Sequence, residues 1–202
     1  MKVLNLYAGI GGNRKLWEDV EVTAVEMNPK IAEIYQDFFP KDKVIVGDAH
    51  QYLLDHFKEY EFIWASPPCP SHSKIRIYSA VARGQNKPIY PDMKLYQEIL
   101  LLKHYFKEKW CVENVISFYE PLIRPFEICR HYFWTNFHMK NITLPRNDIA
   151  NIKPSDEIYG FNLEGRDCGH RKDQVLRNCV NPELGLHILN ESKRDVQPEL
   201  FR

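Results

Sequence analysis

The sequence has no surplus of either charge: Lys and Arg together number 27, and so do Asp and Glu. That balance excludes a protein relying on a global positive field, while leaving room for a local basic groove. No apolar run is long enough to span a bilayer, and no charged leader precedes a long apolar stretch. The start, Met1 to Leu6, goes straight into a strand pattern. A disulfide framework is missing too. The five cysteines (Cys69, Cys111, Cys129, Cys168 and Cys179) are odd in number and irregularly spaced, which suits free thiols in a reducing compartment. There is no internal repeat and no low-complexity segment. The expectation is a soluble cytoplasmic protein with no membrane partner. At 202 residues it is read as one domain, long enough to bury a core without staples.

What is present is an alternation of strand and helix patterns. Lys2 to Leu6, Val22 to Val25, Val44 to Val46, Phe62 to Ala65 and Trp110 to Val112 read as short apolar strands, and His131 to Phe137 as a later one. Between them lie helical patterns at Asn13 to Asp19, with Asn13 as N-cap, at Pro29 to Phe38, with Pro at the first turn, and at Gln51 to Phe57. Met93, Tyr96, Ile99, Leu100, Lys103 and Tyr105 mark another. This order predicts an α/β fold with a doubly wound, mostly parallel sheet. Lys74 to Pro91 is a long connection without a clear period, and 139–173 is polar and irregular.

Chemistry concentrates where strands end. Cys69 lies in Ser66-Pro67-Pro68-Cys69-Pro70, directly after Phe62-Ile63-Trp64-Ala65. Prolines force a rigid, extended exit there, so the thiol is aimed outward. Glu113 follows Trp110-Cys111-Val112 in the same way. Groups at the carboxyl ends of parallel strands meet in one crevice, and a sulfur and an acid sharing it suggest covalent catalysis. The loop Tyr7-Ala8-Gly9-Ile10-Gly11-Gly12 follows the first strand. Alone it fits a tight structural turn as well as a ligand cradle, and its spacing is not the dinucleotide G-x-G-x-x-G. Glu26 ends the second strand, where acids commonly accept from ribose hydroxyls, and Asp48 follows the third. Either acid alone fits a helix cap or turn; the three features together favour an adenosine-type cofactor. Cys129-x-His131 and Cys168-x-His170 offer four zinc-ligand types, but neither pair has zinc-finger spacing, and no metal is expected.

In this order the motifs resemble those of the DNA (cytosine-5) methyltransferases. Leu6 to Gly12 is similar to their first motif, Pro68-Cys69 to their Pro-Cys, and Glu113-Asn114-Val115 to their Glu-Asn-Val. Arg130-His131-Tyr132 resembles the end of their Arg-rich strand motif, and Gln174 to Pro182 their final motif, which folds back beside the first. The resemblance implies a Rossmann-like methyltransferase fold with S-adenosyl-L-methionine as cofactor. It implies cofactor contacts from Tyr7, Ala8, Gly9, Gly11, Gly12, Glu26, Met27, Asp48, Ala49, Pro67, Asn178 and Val180. It makes Cys69 the nucleophile, Glu113 the acid that holds the base, and Arg130 the residue that orients it or stabilises its carbonyl; the carbon 5 proton goes to water. Pro68, Ser71, Lys74, Arg76 and Arg83 would face the substrate. With no acid from Lys74 through Tyr90, that connection would close as a basic loop over a flipped base.

The chain departs from the family in places. Pro70 replaces the usual Gln, Arg177 a Gly and Asn181 a Pro, and the Gln-x-Arg expected near Glu127 and Ile128 is not preserved. Only 139–173 stands where a large target recognition domain is usual. The expected substrate is DNA, with RNA as the alternative because one branch of the family modifies tRNA, and a separate recognition subunit as a third arrangement. Arg166, Arg171, Lys172 and Arg177 could extend the basic surface, offset by Asp167 and Asp173. Such compactness would suit a phage restriction-modification enzyme acting in the bacterial cytoplasm.

Overall fold

Strands whose side chains are buried on both sides build the centre of the molecule. The computed structural model describes residues 1–74, 78, 84, 87–144 and 159–194. The elements run β1 (Lys2–Leu6), β2 (Glu21–Glu26), α1 (Pro29–Phe38), β3 (Lys43–Val46), α2 (Ala49–His56), β4 (Phe62–Ala65), α3 (Lys94–Tyr105), β5 (Lys109–Val115), β6 (Phe126–Ile128), β7 (His131–Thr135), α4 (Lys172–Arg177) and α5 (Pro182–Ser192). The sheet order is β3-β2-β1-β4-β5-β7-β6. The first five strands in that order are parallel, while β7 runs antiparallel to β5 and β6 to β7.

Alternation along each strand splits the core into two layers. Leu4, Leu6, Ile63, Ala65, Trp110 and Val112 pack with Leu53 of α2 and Leu95, Ile99 and Leu102 of α3. Val3, Phe62, Trp64, Cys111 and Phe133 face the other way, against Leu184, Ile188 and Leu189 of α5. The strand order reverses at β1: β2 and β3 lie to one side, β4 and β5 to the other. Such a switch point opens a crevice outside the carboxyl ends of the strands. The glycine loop leaves β1 there, and the Pro-Cys segment leaves β4 there.

Several expectations need correction. Asn13 to Asp19 forms turns, not a helix. Asn13 is buried, and its amide donates to Asn5 Oδ1 at 2.8 Å instead of capping a helix, while Arg14 holds Asp42 through two hydrogen bonds at 2.8 and 3.0 Å. The fifth strand continues to Val115, because β7 pairs with it through Cys111 to Val115. Glu113 therefore sits inside the strand, not at its end. β6 was not expected from the sequence; its hairpin with β7 turns at Cys129 and Arg130, both left-handed at φ 49° and 69°. Two positive φ values fit the twist of a two-residue hairpin, though neither residue is the Gly or Asn usual there. The nominally irregular segment also has an apolar anchor: Phe161, Leu163 and Cys168 pack on Ile31 and Ile34 of α1 with Val175 and Leu176 of α4.

Candidate active site

The glycine loop is shaped by what lies on each side of it. Gly9 has φ +55°, and a Cβ built on it would meet nothing within 4 Å; its face is an open cradle where a ligand can approach the backbone. Gly12 is the reverse. A Cβ there would lie 2.6 Å from the Val180 carbonyl oxygen and 2.8 Å from Cys179 Cβ. The segment after α4 thus lies directly on the first loop, with Val180 buried behind it and Asn178 exposed at the end of α4. Gly11 packs beneath the loop against Phe39 and Tyr35, and Ala8 is tied to β2 by its N–H to Val25 O at 3.1 Å.

Strand-end acids ring this cradle. Glu26 accepts from the Gly9 N–H at 3.0 Å with Oε2 and from the Asn28 N–H at 2.9 Å with Oε1. Each carboxylate oxygen has a second lone pair, so both can also accept from hydroxyls. Met27, next along the chain, is 63% exposed, an accessible apolar side chain following that acid. Asp48 caps α2 by accepting from the His50 N–H at 2.9 Å, so the cap reading of this residue holds, while its other oxygen lies 3.7 Å from Lys94 Nζ. Burial opposes its charged form, yet the backbone N–H groups of α2 and the Lys94 ammonium outweigh it and hold the carboxyl below the usual range. Ala49 is buried in the core. Tyr7 (φ 55°) reaches α3, where its hydroxyl donates to the buried Glu98; His50 Nδ1 meets the same Glu98 oxygen at 2.9 Å. An open backbone cradle, an acid with free lone pairs and an exposed apolar neighbour fit an adenosine-type cofactor.

The backbone around Cys69 is held from two directions. Cys69 O accepts from the His72 and Ser73 N–H groups at 2.9 and 3.0 Å, closing a turn just past the prolines. Asn114 of β5 donates its side-chain amide to Pro67 O at 2.9 Å, so the strand carrying Glu113 also fastens the segment carrying Cys69. Burial and the nearby charge of Glu113 push the Cys69 thiol up to about 11. Pro67 is buried and Pro68 exposed. Ser71 Oγ accepts from the Asp92 N–H at 2.9 Å, and Lys74 is exposed. Arg76 and Arg83 lie outside the described residues. His72, which sequence reasoning passed over, is buried with Nδ1 2.6 Å from the Tyr119 hydroxyl, and burial holds its pKa below the usual imidazole value.

The structure pairs Glu113 with His131. Its Oε1 lies 2.6 Å from His131 Nδ1, whereas Arg130 is exposed on the adjoining turn. Burial and the Arg130 charge oppose protonation of His131, but the hydrogen bond and charge of Glu113 outweigh both and raise its pKa above the usual imidazole value. His131 was visible as a residue but not as a partner, because the pairing follows from the β5–β7 register. Cys129 and His131 lie at the β6–β7 hairpin while Cys168 packs under α1, so the four imagined zinc ligands do not converge. Among the described residues no group of three His, Cys, Asp or Glu could hold a metal ion. The suspected basic extension is compensated: Arg166 pairs with Asp37, Asp167 with Lys30, and Asp173 with both Arg171 and Arg177. No helix among the described residues is long and apolar enough to cross a membrane.

The fold is α/β, a mostly parallel sheet with a glycine loop and acids at its switch point, beside a cysteine and a glutamate. The chain belongs to the C-5 cytosine-specific DNA methylase family, whose model matches residues 1–117. No curated protein matches it. Among solved structures it is similar to a mutant of Spodoptera frugiperda DNMT2, with 21% identity over 72% of this chain and a TM-score of 0.47. The chain spans 56% of that DNMT2. It is also similar to the Entamoeba histolytica methyltransferase EhMeth (13% identity, 78% of this chain and 62% of that one, TM-score 0.41). A third is the plantazolicin methyltransferase BamL, solved with SAH (12% identity, 56% and 38%, TM-score 0.35).

Proposed function

We propose that this chain transfers a methyl group from S-adenosyl-L-methionine to carbon 5 of cytosine in DNA through a covalent Cys69 adduct. The observation that carries this reading is the Asn114–Pro67 hydrogen bond, which locks the thiol segment to the strand bearing Glu113 beside the glycine cradle. Gly9, Glu26, Met27 and Asp48 would hold the cofactor, with Val180 backing the loop. When bound, the cofactor supplies an electrophilic methyl on a positively charged sulfur.

Cys69 adds to carbon 6 as a thiolate. The carbon 5–carbon 6 π pair moves into a carbon 4–carbon 5 double bond, the carbon 4–nitrogen 3 pair settles on nitrogen 3, and Glu113 delivers a proton there. Arg130 would meet the carbonyl oxygen of the ring. Carbon 5, now enamine-like, takes the methyl. Loss of the carbon 5 proton to water re-forms the carbon 5–carbon 6 double bond, expels the Cys69 sulfur and returns the nitrogen 3 proton. With the thiol pushed up to about 11, about one in ten thousand is ionised at neutral pH. A positive sulfur held nearby favours the thiolate, so cofactor binding and nucleophile activation are linked.

Within 139–173, Phe161, Leu163 and Cys168 are spent on packing against α1 rather than on a recognition surface. Bisulfite sequencing of plasmid DNA from cells expressing the chain, with parallel transfer assays on DNA and tRNA using labelled cofactor, tests the reading. Methylated cytosine in plasmid supports it. Transfer to tRNA alone would replace DNA by RNA, and transfer only with a co-purified subunit would make recognition a partner's task. No transfer to any cytosine substrate while cofactor binds would overturn it.

A further inference from the structure

Glu113 and His131 share one face of the sheet. β5 and β7 pair with Glu113 opposite Phe133 and Val115 opposite His131, so the two side chains are diagonal neighbours in an antiparallel pair, within reach of each other. The contact is 2.6 Å, with the Glu113 side chain 8% exposed and that of His131 30% exposed. Short N–H···O bonds of this kind carry charge on at least one partner. His131 leads directly out of the Cys129–Arg130 turn, whose left-handed residues include no glycine. Left-handed L-residues cost about 1–2 kcal/mol each, and backbone strain held in place beside a reactive group is a common mark of function.

We propose that His131, as an imidazolium, is a positioning residue for Glu113: it fixes the carboxyl against the pyrimidine edge and holds a positive charge beside the carboxylate left when Glu113 gives its proton to nitrogen 3. The proposal rests on the methyl-transfer reading above. The step balances: the Glu113 proton moves to nitrogen 3 as the Cys69 thiolate adds to carbon 6, and returns to the carboxylate when the sulfur leaves, while the imidazolium keeps its own proton throughout. Among the described residues, the charged or titratable groups around the pair are Glu113 itself, Arg130 on the turn, and two thiols that feel Glu113, Cys69 and Cys111. Cys111 is wholly buried, so Cys69 and His131 govern the profile.

Those two groups act in opposite directions. Between pH 6 and 9 the thiolate fraction of Cys69 rises tenfold per pH unit, because the thiol titrates near 11. The imidazolium fraction is constant below the raised pKa of His131 and falls tenfold per unit above it. The logarithm of the single-turnover methylation rate should therefore climb with unit slope and then level off. In His131→Arg, which is charged throughout, the climb should continue without a break. His131→Gln should be slower by about 10²–10⁴-fold, the usual worth of a general acid or base, also without a break, and the Arg variant should recover most of that loss at pH 8.5. Cofactor affinity and melting temperature report folding; if the Gln variant does not fold, the wild-type and Arg profiles still decide.

A second arm needs no methyl transfer. The rate at which iodoacetamide alkylates Cys69, followed by mass spectrometry across pH 6–10, should be slower in the Gln variant than in wild type at the low end and fastest in the Arg variant at the high end. If no substrate is methylated but alkylation follows this order, the assigned reaction falls and the coupling of His131 to the site stands. A wild-type rate profile parallel to that of the Arg variant, or alkylation indifferent to residue 131, would overturn the proposal.

Discussion

Gly185→Ala sets helix propensity against sterics at the joint between the first loop and α5. In isolation the substitution should help, since Ala is better than Gly in a helix by about 0.8–1 kcal/mol. Here the added Cβ would lie 2.2 Å from Asn13 O and 2.8 Å from both Asn13 C and Asn13 Cα. These are backbone atoms, so no side chain can swing aside, and α5 must back away by about 1 Å to reach an ordinary contact. That shift loosens Leu184, Ile188 and Leu189 from the sheet. Overpacking costs about 1–3 kcal/mol, and backbone against backbone belongs at the upper end. Sterics win by about 2 kcal/mol, which in a chain of this size lowers the melting temperature by about 4–8 °C. Differential scanning fluorimetry measures it, with Gly47→Ala as control because only Ile45 Cγ2 lies near, at 4.0 Å. Calorimetric titration of the cofactor should show binding weakened by about tenfold, equivalent to about 1.4 kcal/mol. A melting temperature unchanged or raised by the about 2–4 °C that propensity alone predicts would refute the reasoning.

Other outcomes follow from the same contacts. Cys69→Ala should abolish methyl transfer while leaving cofactor affinity within about twofold, a difference below about 0.4 kcal/mol; equal activity would remove Cys69 as nucleophile. Asn114→Ala leaves the buried Pro67 carbonyl unpaired, at a cost of about 1–3 kcal/mol. Its kcat should fall further than its melting temperature implies, and a proportional loss would reduce the hydrogen bond to a structural tie. For His50, the bond to Glu98 raises the pKa against the opposing effect of burial. Its contribution to stability is therefore complete below the unfolded pKa of about 6.5 and is lost as pH rises through the higher folded value. Urea unfolding between pH 5 and 9 should show this decline in wild type and not in His50→Gln.

The parts of the site legible in the sequence are those that local pattern fixes. Phe62 to Ala65 is apolar at every position because β4 is covered on both faces, and the prolines after it mark its end. Glu26 and Asp48 could be located because parallel strands place successive loops at one edge. What local pattern missed depends on partners distant in the chain. Asn13 to Asp19 has helix-compatible residues, but α5 crowds Asn13 and the amide finds Asn5. Asp48 serves as a helix cap as well as a strand-end acid, and the residue type alone does not separate the two. The Glu113–His131 contact needs the register of an antiparallel pair whose hairpin lacks the Gly or Asn that usually announces it. Phe161, Leu163 and Cys168 are too sparse to form a period, yet α1 offers each of them a place.

The seating of Val180 and Gly185 against Gly12 and Asn13 has a consequence for biosynthesis. A ribosome releases β1 well before the segment that forms the rear wall of the ligand cradle. A nascent chain stalled before α5 would expose the Val3, Phe62 and Trp64 layer and leave the glycine loop unsupported. It would be a target for chaperones and proteases rather than a partly active enzyme.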